Sequence, residues 1–329
     1  MEIHFSGLLG QERIVRHLTL AVINNRLAHA YLLVGPTGSG RGHLALHLFA
    51  ALNCENRRQQ PAPCWQCQSC LRAGKQQHEN LIILAPPPQI KVGDVREALR
   101  STAFAPLNGG VRLIFIREAE HLNPESANTL LKTLEEPPDN NLIILSVQDT
   151  AGLLPTLVSR CRRLNLQPLA PDIMLKALRK MGCNQPEARV ALSSGSLGQA
   201  MLLDPEHLRE RLDELLTQLS QTSSLSDHWA LAEDIGKQFL GKNSKWDRQG
   251  LTGLLELLGQ HYRDHAVSVA GRPDMALLPD ISSHSISLAQ AVDNFNQVRV
   301  CQNQLLGNVQ PVLALAVLLN QLGKTAQGC

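Results

Sequence analysis

The sequence predicts an α/β domain with a parallel sheet, followed by a C-terminal half that is entirely helical. Short apolar runs alternate with helical segments up to about residue 165, and only helical periodicity follows from Asp172 onward. Apolar strands that alternate with helices are typical of a parallel sheet covered on both faces. A glycine-rich loop directly after the first apolar run supports the same fold class, because such loops join strand to helix in α/β units.

The first half of the chain supplies the strands and helices of the predicted sheet. Residues 5–26 carry apolar side chains at helical spacing and precede the first strand, at residues 31–34. A helix at residues 44–52 and a Gln/Pro-rich insertion at residues 54–70 come next. The other predicted elements are strands at residues 81–84, 111–116 and 142–146 and a helix at residues 92–101.

Between the last two of these strands, residues 123–138 predict one well-delimited helix. Asn123 can cap its first turn, and Pro124 suits the first helical position. Two prolines at positions 137 and 138 end the helix. Its apolar side chains form a single stripe made of Ala127, Leu130, Leu131 and Leu134.

We expect three domains: an α/β domain over residues 1–165, a small helical domain over residues 166–206 and a larger helical domain over residues 207–329. The longest apolar run, residues 311–319, is too short to span a bilayer and predicts a buried helix. Another apolar stripe is expected to lie in helix core. Its residues are Leu288, Val292, Phe295 and Val298.

The composition is that of a soluble globular protein, with 43% hydrophobic residues among 329 and a formal net charge of +2. So small a charge predicts no strong general attraction to nucleic acid or anionic membranes, although a local basic face is compatible with it. Residues 1–5 lack a basic region followed by an apolar run, so we expect no signal peptide and a cytoplasmic location.

The glycine loop at residues 35–43 has the spacing of a phosphate-binding P-loop, G-x-x-x-x-G-K-[ST], with glycines at Gly35, Gly38 and Gly40. Two positions depart from that motif. Arg41 stands where a lysine should reach the β- and γ-phosphates, and Gly42 stands where a Ser or Thr hydroxyl should hold Mg²⁺. The sequence therefore predicts a degenerate P-loop.

The second nucleotide-binding element should be an apolar strand that ends in Asp-Glu, whose Asp helps to hold Mg²⁺. Residues 113–116 form such a strand, but Arg117 and Glu118 follow it. An arginine at the Asp position places positive charge where Mg²⁺ needs a carboxylate, so metal binding is opposed. We expect Glu118 to survive only as a structural partner of a nearby base.

Four of the eight cysteines crowd into one short segment with the spacing C-x9-C-x2-C-x2-C, at Cys54, Cys64, Cys67 and Cys70. Four thiolates can close a tetrahedral Zn²⁺ site and leave no position for water, which predicts a structural metal. The alternative is four free or paired thiols. We expect His78 to be a lone surface histidine rather than a further ligand.

Ser159-Arg160-Cys161 follows the fourth strand, and alone it is a weak signal, because a loop arginine is usually solvated or salt-bridged. With several other segments it resembles the clamp-loader branch of the AAA+ ATPases. The resemblance covers about the first 200 residues well, and beyond them it depends on the helical pattern and on Asn308-Val309-Gln310-Pro311. The other segments are Gly10-Gln11-Glu12, residues 28–32, the four cysteines and the block Leu-Leu-Lys-Thr-Leu-Glu-Glu-Pro-Pro at residues 130–138.

The clamp-loader family has ATP-hydrolysing and non-hydrolysing members, and the departures in this chain resemble the second kind. The family's second sensor places an arginine inside a Gly-Ser-x-Arg-x-Ala pattern, where this chain has Gly198. Together with Arg41, Gly42 and Arg117 this amounts to four lost contacts with ATP or its Mg²⁺. We therefore expect neither ATP binding nor intrinsic ATPase activity.

The resemblance also implies a role for Arg160. In clamp loaders the arginine of this triplet points out of its own subunit and completes the ATP site of the neighbour. Such an arginine finger stabilises charge that develops on the phosphates. The alternative for Arg160 is an ordinary salt bridge.

The resemblance implies an AAA+ domain with an inserted zinc module, a helical lid and a helical collar. Its implied function is that of a non-hydrolysing stator in a hetero-pentamer that loads the sliding clamp onto primed DNA in replication, without membrane association. The implied partners are tau/gamma-type ATPase subunits, the delta subunit, the sliding clamp and, through the assembly, primed DNA.

Two other functions stay open at the level of the sequence. One is an active ATPase subunit of the same family, with Arg41 as a substitute for the lysine. The other is a zinc-containing adaptor that binds nucleic acid, which would bind DNA by itself in a salt-sensitive way.

Overall fold

The computed structural model divides the chain into two compact units, Met1–Ile173 and Met174–Cys329. The predicted boundaries at residues 165 and 206 stay a prediction. Residues 1–5, on which the expectation about a signal peptide rests, and Asn308 of the C-terminal pattern lie outside the described residues. The structure describes residues 8–57, 62–85, 90–193, 195–222, 224–239, 248–276, 286–306 and 309–326.

The first unit is built on a five-stranded parallel sheet, and the prediction of a parallel sheet is confirmed. Its strands are β1 (Ala30–Val34), β2 (Leu81–Leu84), β3 (Arg112–Ile116), β4 (Asn141–Val147) and β5 (Arg162–Asn165). They lie in the order β2-β3-β4-β1-β5. Because β1 and β3 both pair with β4 in parallel, the glycine loop after β1 and Arg117 after β3 emerge at the same edge of the sheet.

Helices cover both faces of this sheet and enclose a hydrophobic core on each. They are α1 (Glu12–Ile23), α2 (Arg41–Asn53), α3 (Gln68–Gly74), α4 (Val92–Ser101), α5 (Pro124–Glu135) and α6 (Pro155–Arg160). Side chains of β1 alternate between the two cores. Tyr31 and Leu33 pack with α1, α2 and α3, whereas Leu32 and Val34 pack with α4, α5 and α6.

Strand β5 has no counterpart among the strands that the sequence predicts. It is a four-residue edge strand, paired only through β1, with Tyr31 opposite Arg162. Leu164 is its one buried residue, while Arg162, Arg163 and Asn165 are exposed. A strand this short and polar lacks the apolar run that identified the other four.

The second unit is helical throughout its described residues. A hydrophobic core that includes Leu192, Leu212, Leu255 and Leu319 joins its helices. Helix α7 (Pro171–Lys180) crosses from the first unit. The others are α8 (Pro186–Leu192), α9 (Leu197–Leu202), α10 (Pro205–Gln221), α11 (Leu225–Gln238), α12 (Arg248–Val269), α13 (Leu288–Leu306) and α14 (Pro311–Ala326).

The apolar stripe predicted for α13 is only half right. Val298 is fully buried and Phe295 packs against the core, but Leu288 and Val292 are 41% and 46% exposed. The buried face of α13 instead runs through Ala291, Asn294, Val298 and Cys301. Two faces of this helix carry apolar residues, so periodicity alone selected the wrong one for its first two turns.

The apolar run at residues 311–319 forms most of α14, and it is buried as the sequence predicts. Ala314, Leu315, Leu318 and Leu319 are all at most 2% exposed. In the described part of the chain, no helix combines the length and the apolar character that a membrane span requires.

Candidate functional site

The glycine loop keeps a backbone shape that requires its glycines. Gly38 and Gly40 have φ angles of 78° and 94°, which L side chains rarely adopt. Gly40 is also the N-cap of α2, so the loop leads directly from β1 into the helix. At Gly35 a Cβ atom would lie 2.7 Å from the backbone oxygen of Leu166. Backbone geometry alone therefore explains these three glycines.

Arg41, at the lysine position of the P-loop motif, is buried inside the protein. It is 8% exposed, and its Nη1 has no hydrogen-bond partner among the described residues. Burial lowers the pKa of Arg41, and attraction to the carboxylates of Glu120 and Glu118 opposes that shift. Both carboxylates follow β3, so the structure brings the glycine loop and the segment after β3 together, with Arg41 as a base near Glu118.

Arg117, at the position of the Mg²⁺-binding Asp in the motif, contacts two side chains of its own chain. Its Nη2 donates to Oε1 of Gln76 at 3.1 Å, and its guanidinium lies 5.4 Å from the centre of the Phe115 ring. A Cβ atom at Gly42 would lie 4.0 Å from the same ring. The residues around this edge thus provide a cation and an aromatic ring where the motif requires a carboxylate and a hydroxyl.

Gly198, at the position of the sensor arginine, lies in the first turn of α9. Ser196 caps this helix by accepting a hydrogen bond from the backbone N–H of Gln199 at 3.1 Å. A Cβ atom at Gly198 would have no neighbour within 4 Å. Space for a Cβ atom is therefore present at Gly198, and the absence of a sensor arginine there stays a prediction.

The four cysteines meet at one point, with all Sγ atoms within 4.8 Å of one another. Cys64 Sγ and Cys70 Sγ are 4.0 Å apart, and sulfurs around a tetrahedral zinc with bonds of about 2.3 Å are about 3.8 Å apart. Cys54 follows the end of α2, and Cys67 is the N-cap of α3. This donor set and its spacing are compatible with a structural zinc.

The local environment prepares one of these thiols for metal binding. Backbone N–H groups of Gln66 and Cys67 lower the pKa of Cys64 to about 6. Burial raises the pKa of Cys54 and of Cys70. Zinc binds thiolates rather than thiols. The low pKa of Cys64 makes its thiolate available near neutral pH, whereas the two buried thiols would lose their protons to solvent when the metal binds.

His78 is buried, so the expectation of a surface histidine is wrong. Its Nδ1 accepts the backbone N–H of Asn80 at 3.1 Å, which leaves the ring proton on Nε2. That Nε2 donates to Oγ of Ser69 at 3.1 Å, and Ser69 donates to the backbone oxygen of Asn53 at 2.7 Å. Nε2 therefore connects His78 to Ser69 of α3, while Nδ1 makes a local contact with Asn80. With both ring nitrogens used in this way, His78 is no zinc ligand in this arrangement.

Arg160 ends α6 and its side chain is 34% exposed. Its Nη2 donates to Oε1 of Glu135 at 2.5 Å, and its Nη1 donates to the backbone oxygen of Thr156 at 3.0 Å. The next residue, Cys161, turns into the core, and burial raises the pKa of its thiol to about 11. The salt bridge that the sequence left as an alternative is present within this chain, and the role of Arg160 in trans stays a prediction.

The structure also shows a role for Gln11 that sequence reasoning missed. Its side chain is buried, donates to the backbone oxygen of Gln167 at 2.6 Å and accepts the N–H of Gln167 at 3.3 Å. At the preceding Gly10, a Cβ atom would lie 2.7 Å from Cδ2 of Leu169. The start of α1 is thereby fixed to the segment after β5. The only sequence signal for this contact was the Gly10-Gln11-Glu12 motif.

Comparison with known proteins shows the family of this chain. Residues 10–170 match the family model described as DNA polymerase III, delta subunit. Over 220 residues the chain is 32% identical to the DNA polymerase III subunit delta' of Pseudomonas aeruginosa, covering 61% of this chain and 66% of that protein. The chain belongs to the clamp-loader family of DNA polymerase III subunits.

The chain is similar to members of this clamp-loader family that carry different subunit names. It is 27% identical over 300 residues to the delta' subunit of Bacillus subtilis, covering 86% of this chain and 87% of that protein. It is 28% identical over 278 residues to the tau subunit of Escherichia coli, covering 79% of this chain and 43% of that protein. The chain thus spans less than half the length of the tau relatives from Escherichia coli and Salmonella typhimurium.

Among solved structures, a DNA polymerase III gamma subunit-related protein of Thermotoga maritima is similar to the chain. The TM-score is 0.46 and the sequence identity 14%, and the match covers 96% of this chain and 100% of that chain.

Proposed function

We propose that this clamp-loader family member is a delta-prime-type stator, a subunit that hydrolyses no ATP and helps to load the sliding clamp onto primed DNA. It works in the cytoplasm within a hetero-pentamer that contains tau/gamma-type ATPase subunits and the delta subunit. Primed DNA is held by the assembly, and a zinc ion stabilises the cysteine module. Arg160 acts on the nucleotide of a neighbouring ATPase subunit.

The environment of Arg41 carries this proposal. In a hydrolysing subunit the residue at this position must reach the phosphates of ATP. Arg41 is instead buried, and its charge is attracted to Glu120 and Glu118 of its own chain. Movement of the guanidinium towards a phosphate would weaken this attraction, so the two carboxylates compete with nucleotide for Arg41. Arg117 and Gly198 support the same conclusion.

Isothermal titration of the isolated chain with ATP and Mg²⁺ tests this part of the proposal. We expect no heat of tight binding and no release of phosphate. Tight binding with turnover would assign the chain to the tau/gamma-type ATPase subunits instead. A DNA titration at two salt concentrations tests the adaptor alternative, because strong, salt-sensitive binding by the chain alone would favour that function.

Substitution of Arg160 tests the role in trans. In a reconstituted clamp loader, Arg160→Ala should lower ATP hydrolysis at the site that it completes by about 10³-fold or more, because arginine fingers stabilise charge in the transition state. The measurement is steady-state phosphate release, with the folding of the variant checked by circular dichroism. Arg163→Ala, an exposed arginine on β5, is the matched control. An unaltered rate in the Arg160→Ala complex would show that Arg160 is no finger.

A further inference from the structure

The carboxylates of the Leu-Glu-Glu-Pro-Pro segment at residues 134–138 are unexplained by helix formation. Glu135 is the last residue of α5, and two prolines follow shortly after it. A negative charge at the C-terminal end of a helix faces the negative end of the helix dipole, which is unfavourable. Neither capping nor helix propensity therefore requires a carboxylate at position 135.

The contact that Glu135 makes is with Arg160. Its Oε1 lies 2.5 Å from Nη2 of Arg160, while the backbone oxygen of Thr156 accepts from Nη1 at 3.0 Å. These two acceptors hold the guanidinium from two of its nitrogens, so its plane is defined. Its other N–H groups are not used by these bonds and can still donate to an external oxygen.

The two helices that carry this pair contribute to the same hydrophobic core. Leu134, next to Glu135, is 2% exposed, and Leu157 of α6 is fully buried in the same hydrophobic core. The prolines after α5 end the helix directly beyond Glu135. The carboxylate of Glu135 therefore extends from the end of a packed helix and not from a loop.

We propose that Glu135 is a positioning residue, which holds the Arg160 guanidinium in the orientation needed to meet the phosphates of the neighbouring subunit's ATP. The proposal rests on the role of Arg160 in trans given above. A free arginine side chain has many rotamers, and fixing one beforehand removes an entropic cost from the contact with phosphate. Within the Leu-Glu-Glu-Pro-Pro segment, Glu135 then serves the ATP site of another chain.

Steady-state ATP hydrolysis by the reconstituted clamp loader tests the proposal. Glu135→Gln keeps the size of the side chain and removes its charge, and it should lower kcat by about 10-fold. KM for ATP should stay unchanged, because a finger acts mainly in the transition state. Glu135→Asp keeps the charge and should recover part of the lost kcat. Glu136→Gln, at the adjacent exposed carboxylate, should leave both constants unchanged.

A surface ion pair that serves only stability gives a different set of results. It would contribute little, would shift the melting temperature slightly and would leave kcat as it is. Arg160→Ala measured in parallel separates the two proposals. If Arg160→Ala is impaired while Glu135→Gln hydrolyses ATP like wild type, Glu135 is not a positioning residue and Arg160 remains the finger. If Arg160→Ala is also unimpaired, both proposals are wrong. A faster Glu135→Gln complex would show that Glu135 restrains Arg160, which contradicts positioning.

Discussion

Gly323 on α14 shows how closely two helices of the second unit approach each other. A Cβ atom at this position would lie 2.5 Å from Nε2 and 2.6 Å from Cε1 of His228 on α11. His228 is 2% exposed, and neither of its ring nitrogens has a hydrogen-bond partner among the described residues. The imidazole is therefore packed on the bare backbone of Gly323, and its position depends on that glycine.

We predict that Gly323→Ala destabilises the second unit by about 1–3 kcal/mol, because the added methyl group overlaps a buried ring. Urea denaturation followed by circular dichroism measures the change. Gly198→Ala is the control, since a Cβ atom there has no neighbour within 4 Å. That control should be neutral or slightly stabilising. Equal stability of the two variants would contradict the tight packing of α11 on α14.

Single residues also show what sequence reasoning could and could not predict about the site. The close spacing of the four cysteines was enough to predict that they meet, because three of them lie within seven positions of one another. The partners of Arg41 and Arg160 were not predictable in this way. Glu120 and Glu135 lie 79 and 25 positions away in the chain, and only the folded sheet and its helices bring each of them to its arginine.

At the scale of elements, apolar runs identified β1 to β4 and the bounds of α5 closely. They failed for β5, whose residues are mostly exposed, and for the first turns of α13, whose apolar residues occupy two faces. Burial on both faces of a sheet produces a continuous apolar signal, whereas an edge strand produces little. The errors therefore fall at an edge strand with little apolar signal and at a helix whose apolar residues lie on two faces.

The cysteine module provides a prediction at this scale. Purified protein should contain about one zinc per chain. After zinc is removed by a chelator, Cys64 should react with iodoacetamide at a rate that rises as the pH passes through about 6, because its pKa is about 6 and the thiolate is the reactive form. Cys161, with a pKa of about 11 caused by burial, should stay unmodified at pH 8.

Peptide mapping by mass spectrometry reads out both cysteines in one sample. Zinc-loaded protein, in which the metal protects the four thiolates, is the control. Absence of metal from freshly prepared, reduced protein would refute the zinc site. Faster modification of Cys161 than of Cys64 would contradict the environments described for the two thiols.

At the scale of the whole molecule, each unit has a core of its own, so the first should fold without the second. We predict that residues 1–173, expressed alone, unfold cooperatively in urea and retain zinc. Residues 1–160 should be much less stable, because they lack β5 and the partner of Gln11 at Gln167. Identical urea midpoints for the two fragments would mean that neither contact contributes to the stability of the sheet.

The order of the strands has a consequence for the synthesis of the chain. Strand β1 is made first, yet its two neighbours, β4 and β5, begin at residues 141 and 162. At a translation rate of about 5–20 residues per second, β1 waits roughly 5–20 s for its first partner. Throughout that time both edges of an apolar strand are unpaired, which is the state most prone to aggregation. The nascent chain should therefore be a substrate for ribosome-associated chaperones until β4 has emerged.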